Sequence, residues 1–160
     1  MAKTFLKVKQ TLRDIFSTPS WEILMGFGEA VRLYFKNYVK FDGRSRRAEY
    51  WWPVLFLMLI SVAGNILAGI FAAALGDVGV MIAGLVSLLL MLFSLATIIP
   101  SIAVGIRRLH DLDKSGWWLL IGLIPFIGAI VLIIFFVQEG TKGPNKFGSD
   151  PKGGAQVDTF

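Results

Sequence analysis

Charge is distributed along the chain in blocks. No Asp, Glu, Lys or Arg falls in 51–76, 78–106 or 115–138, and about 20 apolar residues suffice to cross a hydrocarbon layer about 30 Å thick. The pattern predicts three transmembrane helices, at about 51–75, 79–106 and 117–137. Ahead of them, apolar positions recur with helical spacing. Phe5, Val8, Leu12 and Ile15 follow at intervals of 3, 4 and 3 among Lys3, Lys7, Lys9 and Arg13. Those bases interrupt the apolar run that a signal peptide needs, so the N-terminus is expected to be retained. Thr18 and Pro19 can cap and start a second helix. Its apolar face would hold Leu24, Phe27, Val31, Tyr34 and Tyr38, and Arg32, Lys36 and Lys40 would line another. Basic amphipathic helices beside a span suit an anionic membrane surface. The expected class is an all-α integral membrane protein, with three transmembrane helices preceded by one or two amphipathic interfacial helices. Residues 1–40 form the amphipathic extension, 41–151 the three-span membrane domain and 152–160 a flexible tail.

Composition agrees with that pattern. Of 160 residues 55% are hydrophobic and only 17% charged, and the mean hydropathy is +0.66, which excludes an ordinary water-soluble globule. The 16 Lys and Arg exceed the 11 Asp and Glu, for a net charge of +5. In a membrane protein such a surplus marks cytoplasmic loops rather than nucleic-acid binding. Residues 1–50 hold ten bases and five acids, while the link at 76–79 holds only Asp77. The N-terminus and the connection 107–116 are therefore expected on the cytoplasmic side, and a third span would carry the tail outward, unless Pro125 and its glycines turn 117–137 back as a re-entrant hairpin. Cysteine is absent, which removes disulfides, thiolate metal sites and Cys nucleophiles.

Within the spans, close packing and polar pairs must hold helices together, because lipid supplies no net hydrophobic drive. Ala83, Ser87, Ser94, Ser101 and Gly105 recur at intervals of four and seven in span two, and Ser61, Asn65 and Gly69 at intervals of four in span one. Asn65 is the only carboxamide within the spans, and it is expected to face the bundle as a polar clamp. Pro100 cannot donate to the carbonyl of Ala96, which predicts a kink or local loss of helix, and Pro125 between Gly122 and Gly128 acts likewise. The spans hold no ionisable residue, which argues against ion-coupled transport by a monomer. Any pore would require a homo-oligomer.

Polar residues cluster in three motifs. The first runs from Phe41 to Trp51, with Gly43, Arg44, Arg47, Glu49 and Tyr50. The second is Arg107-Arg108-Leu109-His110-Asp111 followed by Ser115-Gly116-Trp117-Trp118. The third contains Gly140, Gly143, Asn145, Phe147, Gly148, Asp150 and Pro151, whose glycines and prolines specify a series of turns. Ser115 or Asp113 can cap span three. The four tryptophans Trp51, Trp52, Trp117 and Trp118 suit an interfacial belt. Over about Tyr38 to Pro151 this arrangement resembles the bacterial inner-membrane family known as domain of unknown function 805. The resemblance implies a bacterial inner (plasma) membrane location and this fold, without an assigned activity.

The motifs bring charge to one interface. His110 is the only side chain that titrates near neutrality unperturbed, but one His without Cys cannot build a usual zinc site. No cofactor or metal is expected. Arg44, Arg47, Arg107 and Arg108 could grip an anionic lipid headgroup. Alternatively they form an internal ion-pair network, with Glu49 neutralising an arginine of the central motif and Asp111 pairing with Arg44, Arg47 or Arg107 one helical turn away. The leading reading is a non-enzymatic scaffold or regulatory subunit, in contact with anionic lipid and with a second copy or another membrane protein, and without nucleic acid. The alternatives are a small oligomeric channel or transporter component and, last, an anionic-lipid-binding protein or an enzyme acting on lipid or phosphate.

Overall fold

The computed structural model describes residues 25–152. The N-terminal helix pattern at 3–15, the start at Thr18 and Pro19, and the end of the tail lie outside the described residues. The described residues form four α-helices, α1 (Phe27–Lys36), α2 (Arg47–Ala74), α3 (Gly76–Asp111) and α4 (Ile127–Val137), with a 3-10 segment at Gly116–Leu123. Helices α2 and α3 are long and apolar enough to cross a membrane, and only 6% of each apolar window is buried within the protein. That low burial distinguishes them from core helices of a soluble protein, whose apolar residues would be covered. Only Leu75 separates them, so they form a tight antiparallel hairpin. Its open end carries the first two motifs.

The stretch 117–137 is not the third transmembrane helix that its hydropathy predicts. It is a hairpin of two short arms. Pro125 offers no N–H and disfavours helix in the residue before it, and Ile124 is extended at φ −83° and ψ 112°. Phe126 then takes the left-handed region at φ 62°, which reverses the chain into α4. The arms approach so closely at Gly128 that a Cβ there would lie 1.8 Å from the carbonyl oxygen of Ile121. Eight 3-10 residues rise about 16 Å, and the 11 residues of α4 rise about 16 Å. The arms match, so the chain comes back to where it started, and the tail joins the end that carries the other two motifs. The expectation of a tail on the opposite side is overturned.

Pro100 does not interrupt α3, which is continuous from Gly76 to Asp111. The carbonyl that Pro100 leaves without an N–H is supplied from outside the helix, because the Tyr38 hydroxyl donates to Ala96 O. One turn earlier the Tyr34 hydroxyl donates to Thr97 O at 3.0 Å and lies 2.8 Å from Ser101 Oγ. Burial pushes the Tyr34 phenol above its ordinary pKa, so it remains a donor. Phe27 packs edge-on against Trp52 and Phe56, so α1 touches both long helices near their motif end.

Two outcomes follow. The chain has no cysteine, so single replacements report sidedness: Ser115→Cys and Ser149→Cys should react with an impermeant maleimide from the same side, and Asp77→Cys from the opposite one. Labelling of Ser149→Cys together with Asp77→Cys would refute the hairpin. Tyr38→Phe should lower thermal stability in detergent by about 0.5–1.5 kcal/mol, the net contribution of one hydrogen bond.

Candidate functional site

The sequence places three motifs along 110 residues, and the fold brings them together in one layer at the end of α3. At its centre is the Asp111 carboxylate, 2% exposed. Its Oδ1 accepts from Arg44 Nε at 3.0 Å and its Oδ2 from the Arg108 guanidinium, one turn back on α3. One carboxylate offsets two guanidinium charges here, and carbonyl dipoles supply the rest. Arg44 also donates to the carbonyls of Gly143 at 2.7 Å and Thr141 at 2.5 Å. Arg108, fully buried, donates to the carbonyls of Phe136 at 3.2 Å and of Gln138. Each arginine therefore ties α3 to a different stretch of the returning chain. The carboxylate also fixes the shape of that chain: a Cβ on Gly140 would lie 1.9 Å from Asp111 Oδ2.

The closing motif caps α3. The last carbonyls of any helix lack intrahelical donors, and here Thr141 N donates to Asp111 O at 2.8 Å and Asn145 Nδ2 to His110 O at 2.9 Å. Asn145 Oδ1 accepts the Phe147 N–H at 2.9 Å, and Asn145 and Gly148 exchange backbone bonds. Asp150 receives the Lys152 N–H at 2.8 Å and the Gly143 N–H at 3.0 Å. These two amides, that of Lys152 foremost, hold the Asp150 carboxyl below its usual range. Gly143 and Gly148 adopt positive φ at 75° and 135°, where a side chain would be strained. His110 stacks on Phe147 with centroids 3.8 Å apart and planes within 4°. Its Nδ1 meets Gly43 O at 3.1 Å, and a carbonyl can only accept, so Nδ1 carries the proton.

The remaining motif residues take other partners than charge alone suggested. Arg107 does not pair with Asp111; its Nε donates to Ser45 Oγ at 3.1 Å and its NH1 to Lys40 O at 3.1 Å. The i,i+3 neighbour Arg108 takes that place, since its side chain projects to the face where α4 ends. Glu49 pairs with no central arginine within ion-pair distance and accepts the Arg46 N–H at 3.4 Å, satisfying a donor at the start of α2. Arg47 sits at the rim, 3.5 Å from Glu139, with its side chain 45% exposed. The exposed Glu139 carboxyl is held below its usual range by its bond to Lys152 and by the nearby cations. Trp51 Nε1 donates to Phe136 O at 3.3 Å, so this tryptophan is a structural tie. Trp117 is 78% exposed, and Ser115 accepts its N–H at 3.4 Å, capping the 3-10 segment.

Asn65 lies apart from this layer, on the exposed side of α2, donating only to Ser61 O at 2.7 Å. The expected bundle-facing clamp is not formed. Sequence reasoning gave no role to Ser45 and Thr141, read Gly140 as a turn residue rather than as a contact of Asp111, and treated Tyr34 and Tyr38 only as apolar face. The signal for Tyr38 was present, because Pro100 predicts an orphan carbonyl that some donor must reach.

A cavity of about 260 Å³ opens beside the layer, lined by Asp111, Glu139, Thr141, Lys142, Asp150 and Lys152 among others. The described residues include no cluster of three His, Asp or Glu that could hold a metal ion. The model of a family of proteins of unknown function, DUF805, matches residues 38–149, a range that takes in all three motifs. The chain belongs to this family. It is 46% identical over 121 residues to the inner membrane protein YhaI of Escherichia coli, covering 75% of this chain and 92% of that protein. It is 43% identical over 117 residues to the inner membrane protein YhaH of the same organism, covering 73% and 91%. The uncharacterized protein YiiR of Escherichia coli is 29% identical over 141 residues, covering 69% and 84%. No solved structure matches the chain.

Breaking the latch should cost far more than breaking a surface pair. Asp111→Asn should destabilise the protein by about 3–5 kcal/mol, because it strands buried guanidinium charge. Asp113→Asn, which loses the exposed contact to Lys146 at 3.6 Å, should cost at most about 1 kcal/mol; thermal melts in detergent separate the two. The depressed Asp150 pKa contributes stability above the unfolded value of about 4, and that contribution is lost as pH falls through the lower folded value. The melting temperature in detergent should therefore fall as the pH drops through that range, and Asp150→Asn should remove that part of the pH dependence.

Proposed function

We propose that this chain is a non-enzymatic scaffold or regulatory subunit of the bacterial inner membrane, with its motif end in the cytoplasm. The observation that carries this reading is the inward use of the motif chemistry. Both Asp111 oxygens and the donors of Arg44, Arg107 and Arg108 are directed at the chain's own groups, as in a lock rather than an active site. A reaction centre would need a nucleophile or base poised at a free acceptor position. Orientation rests on charge: no Lys or Arg lies between Arg47 and Arg107, and the far turn carries Asp77 alone. With the tail folded back, Lys142, Lys146 and Lys152 join the basic side. Of the four motif arginines, Arg47 retains the exposure to meet anionic headgroups at the rim, worth about 1 kcal/mol per cation near such a surface.

Two measurements test this together. Purified protein in liposomes should give no ion or small-solute flux above empty vesicles, and a mild-detergent pull-down after in-membrane cross-linking should recover a partner membrane protein in near-stoichiometric amount. Flux that scales with protein content and disappears on Thr97→Leu, at the cleft between α2 and α3, would replace the reading with the channel alternative.

A further inference from the structure

We propose that a second copy of this chain docks on α2 through Asn65, forming a parallel dimer in the plane of the membrane. The inference needs only that α2 crosses the bilayer and stands apart from the scaffold reading. Asn65 lies 14 residues beyond Trp51 and nine before Ala74, about 21 Å and 14 Å along the helix, hence deep in hydrocarbon. Its side chain is exposed, one amide hydrogen is taken by Ser61 O, and neither Oδ1 nor the second amide hydrogen has a partner among the described residues. Lipid supplies no hydrogen bonds, and such groups cost several kcal/mol each unless another protein answers them.

The chemistry of the amide selects the occupant. A carboxamide holds a donor and an acceptor and is therefore complementary to itself. Copies inserted with the same orientation carry Asn65 at the same depth, so a two-fold axis along the membrane normal can bring two amides into reciprocal hydrogen bonds. The flanks admit the approach. Ser61 and Gly69 are exposed one turn to either side, and a Cβ on Gly69 would meet no atom within 4 Å. Beside Ser61 an unfilled cleft of about 230 Å³, lined by Leu57, Ile60, Leu90, Phe93 and Ser94 among others, can receive an apolar side chain of the facing helix. Small residues around a polar one are the usual means by which helices associate in lipid.

The absence of natural cysteine gives a direct test in native membranes with the full chain. Ser61→Cys and Gly69→Cys should form disulfide-linked dimers under mild oxidation, and Leu67→Cys, about 120–160° away around α2, should not. Adding Asn65→Leu to Ser61→Cys should cut the dimer yield about tenfold, and Asn65→Gln, which keeps the amide, should largely restore it. Asn65 is exposed and contacts only its own helix, so the melting temperature of a detergent-isolated monomer should not fall with Asn65→Leu. The proposal is overturned by equal linking at Ser61→Cys and Leu67→Cys, by linking at none of the sites, by linking indifferent to Asn65→Leu, or by a linked product whose mass shows a different protein.

Discussion

A desolvated carboxylate between two guanidinium groups sets the terms for this fold. Asp111 is held by Arg44 from the first motif and by Arg108 from its own helix, which leaves a surplus positive charge in a place that water does not reach. Such a charge is tolerated only where other oxygens solvate it. Those oxygens are the carbonyls of Phe136, Gln138, Thr141 and Gly143, all from the chain that follows the central motif. A third span would have taken these carbonyls to the opposite face of the membrane. The electrostatics of the layer and the reversal at Phe126 are thus one requirement met at two places. Gly140 belongs to the same requirement, since only a residue without Cβ lets the backbone lie against the carboxylate.

The hairpin also has to be acceptable to hydrocarbon. Irregular backbone at membrane depth is costly unless its polar groups are answered. At the tip, Ile124 N donates to Ile121 O, Ile127 N to Pro125 O and Gly128 N to Ile124 O, while Pro125 has no N–H to satisfy. The turn therefore closes most of its own bonds, and Leu123, Phe126 and Ile127 present apolar side chains outward. Arms of about 16 Å reach about half of a layer about 30 Å thick. Of the described residues, the motif-side half of the layer accordingly contains both long helices and the hairpin, and the other half the long helices.

Much of this was legible before any coordinates. The charge-free stretches mark α2 and α3 because only a helix satisfies its backbone over that length in lipid, and the three motifs mark the residues that meet at the end of α3. Hydropathy could not separate a span from a hairpin at 115–138, since either buries the same apolar side chains; Pro125 with its flanking glycines was the local sign of reversal. Pairing within the layer was harder to read. Arg107 and Arg108 differ by about 100° around the helix, and which of them faces Asp111 depends on where α4 ends. Gly140 is legible as a turn residue but not as a contact of Asp111, and Thr141 is silent, because their contribution is backbone: a missing Cβ and a carbonyl.

Pro100 and Asn65 pose the same physical question and receive different answers. At Pro100 the orphan is the Ala96 carbonyl, and α1 lies close enough for the Tyr38 hydroxyl to reach it, so the debt is settled within one chain. Tyr34 extends the arrangement by answering Thr97 O, whose own hydroxyl turns back to the carbonyls of Phe93 and Ser94. This works because the phenol is long enough to reach α3 from α1. Asn65 stands about 20 Å above the motif end, beyond the reach of α1 and above the hairpin tip, on a side of α2 that no other element of the described residues covers. Its short side chain can bond back only to Ser61, which uses one of its donors and leaves its acceptor open. Among the described residues, the elements that could have covered that side are committed to the layer around Asp111, so they leave this intramembrane amide facing whatever lies beside it in the bilayer.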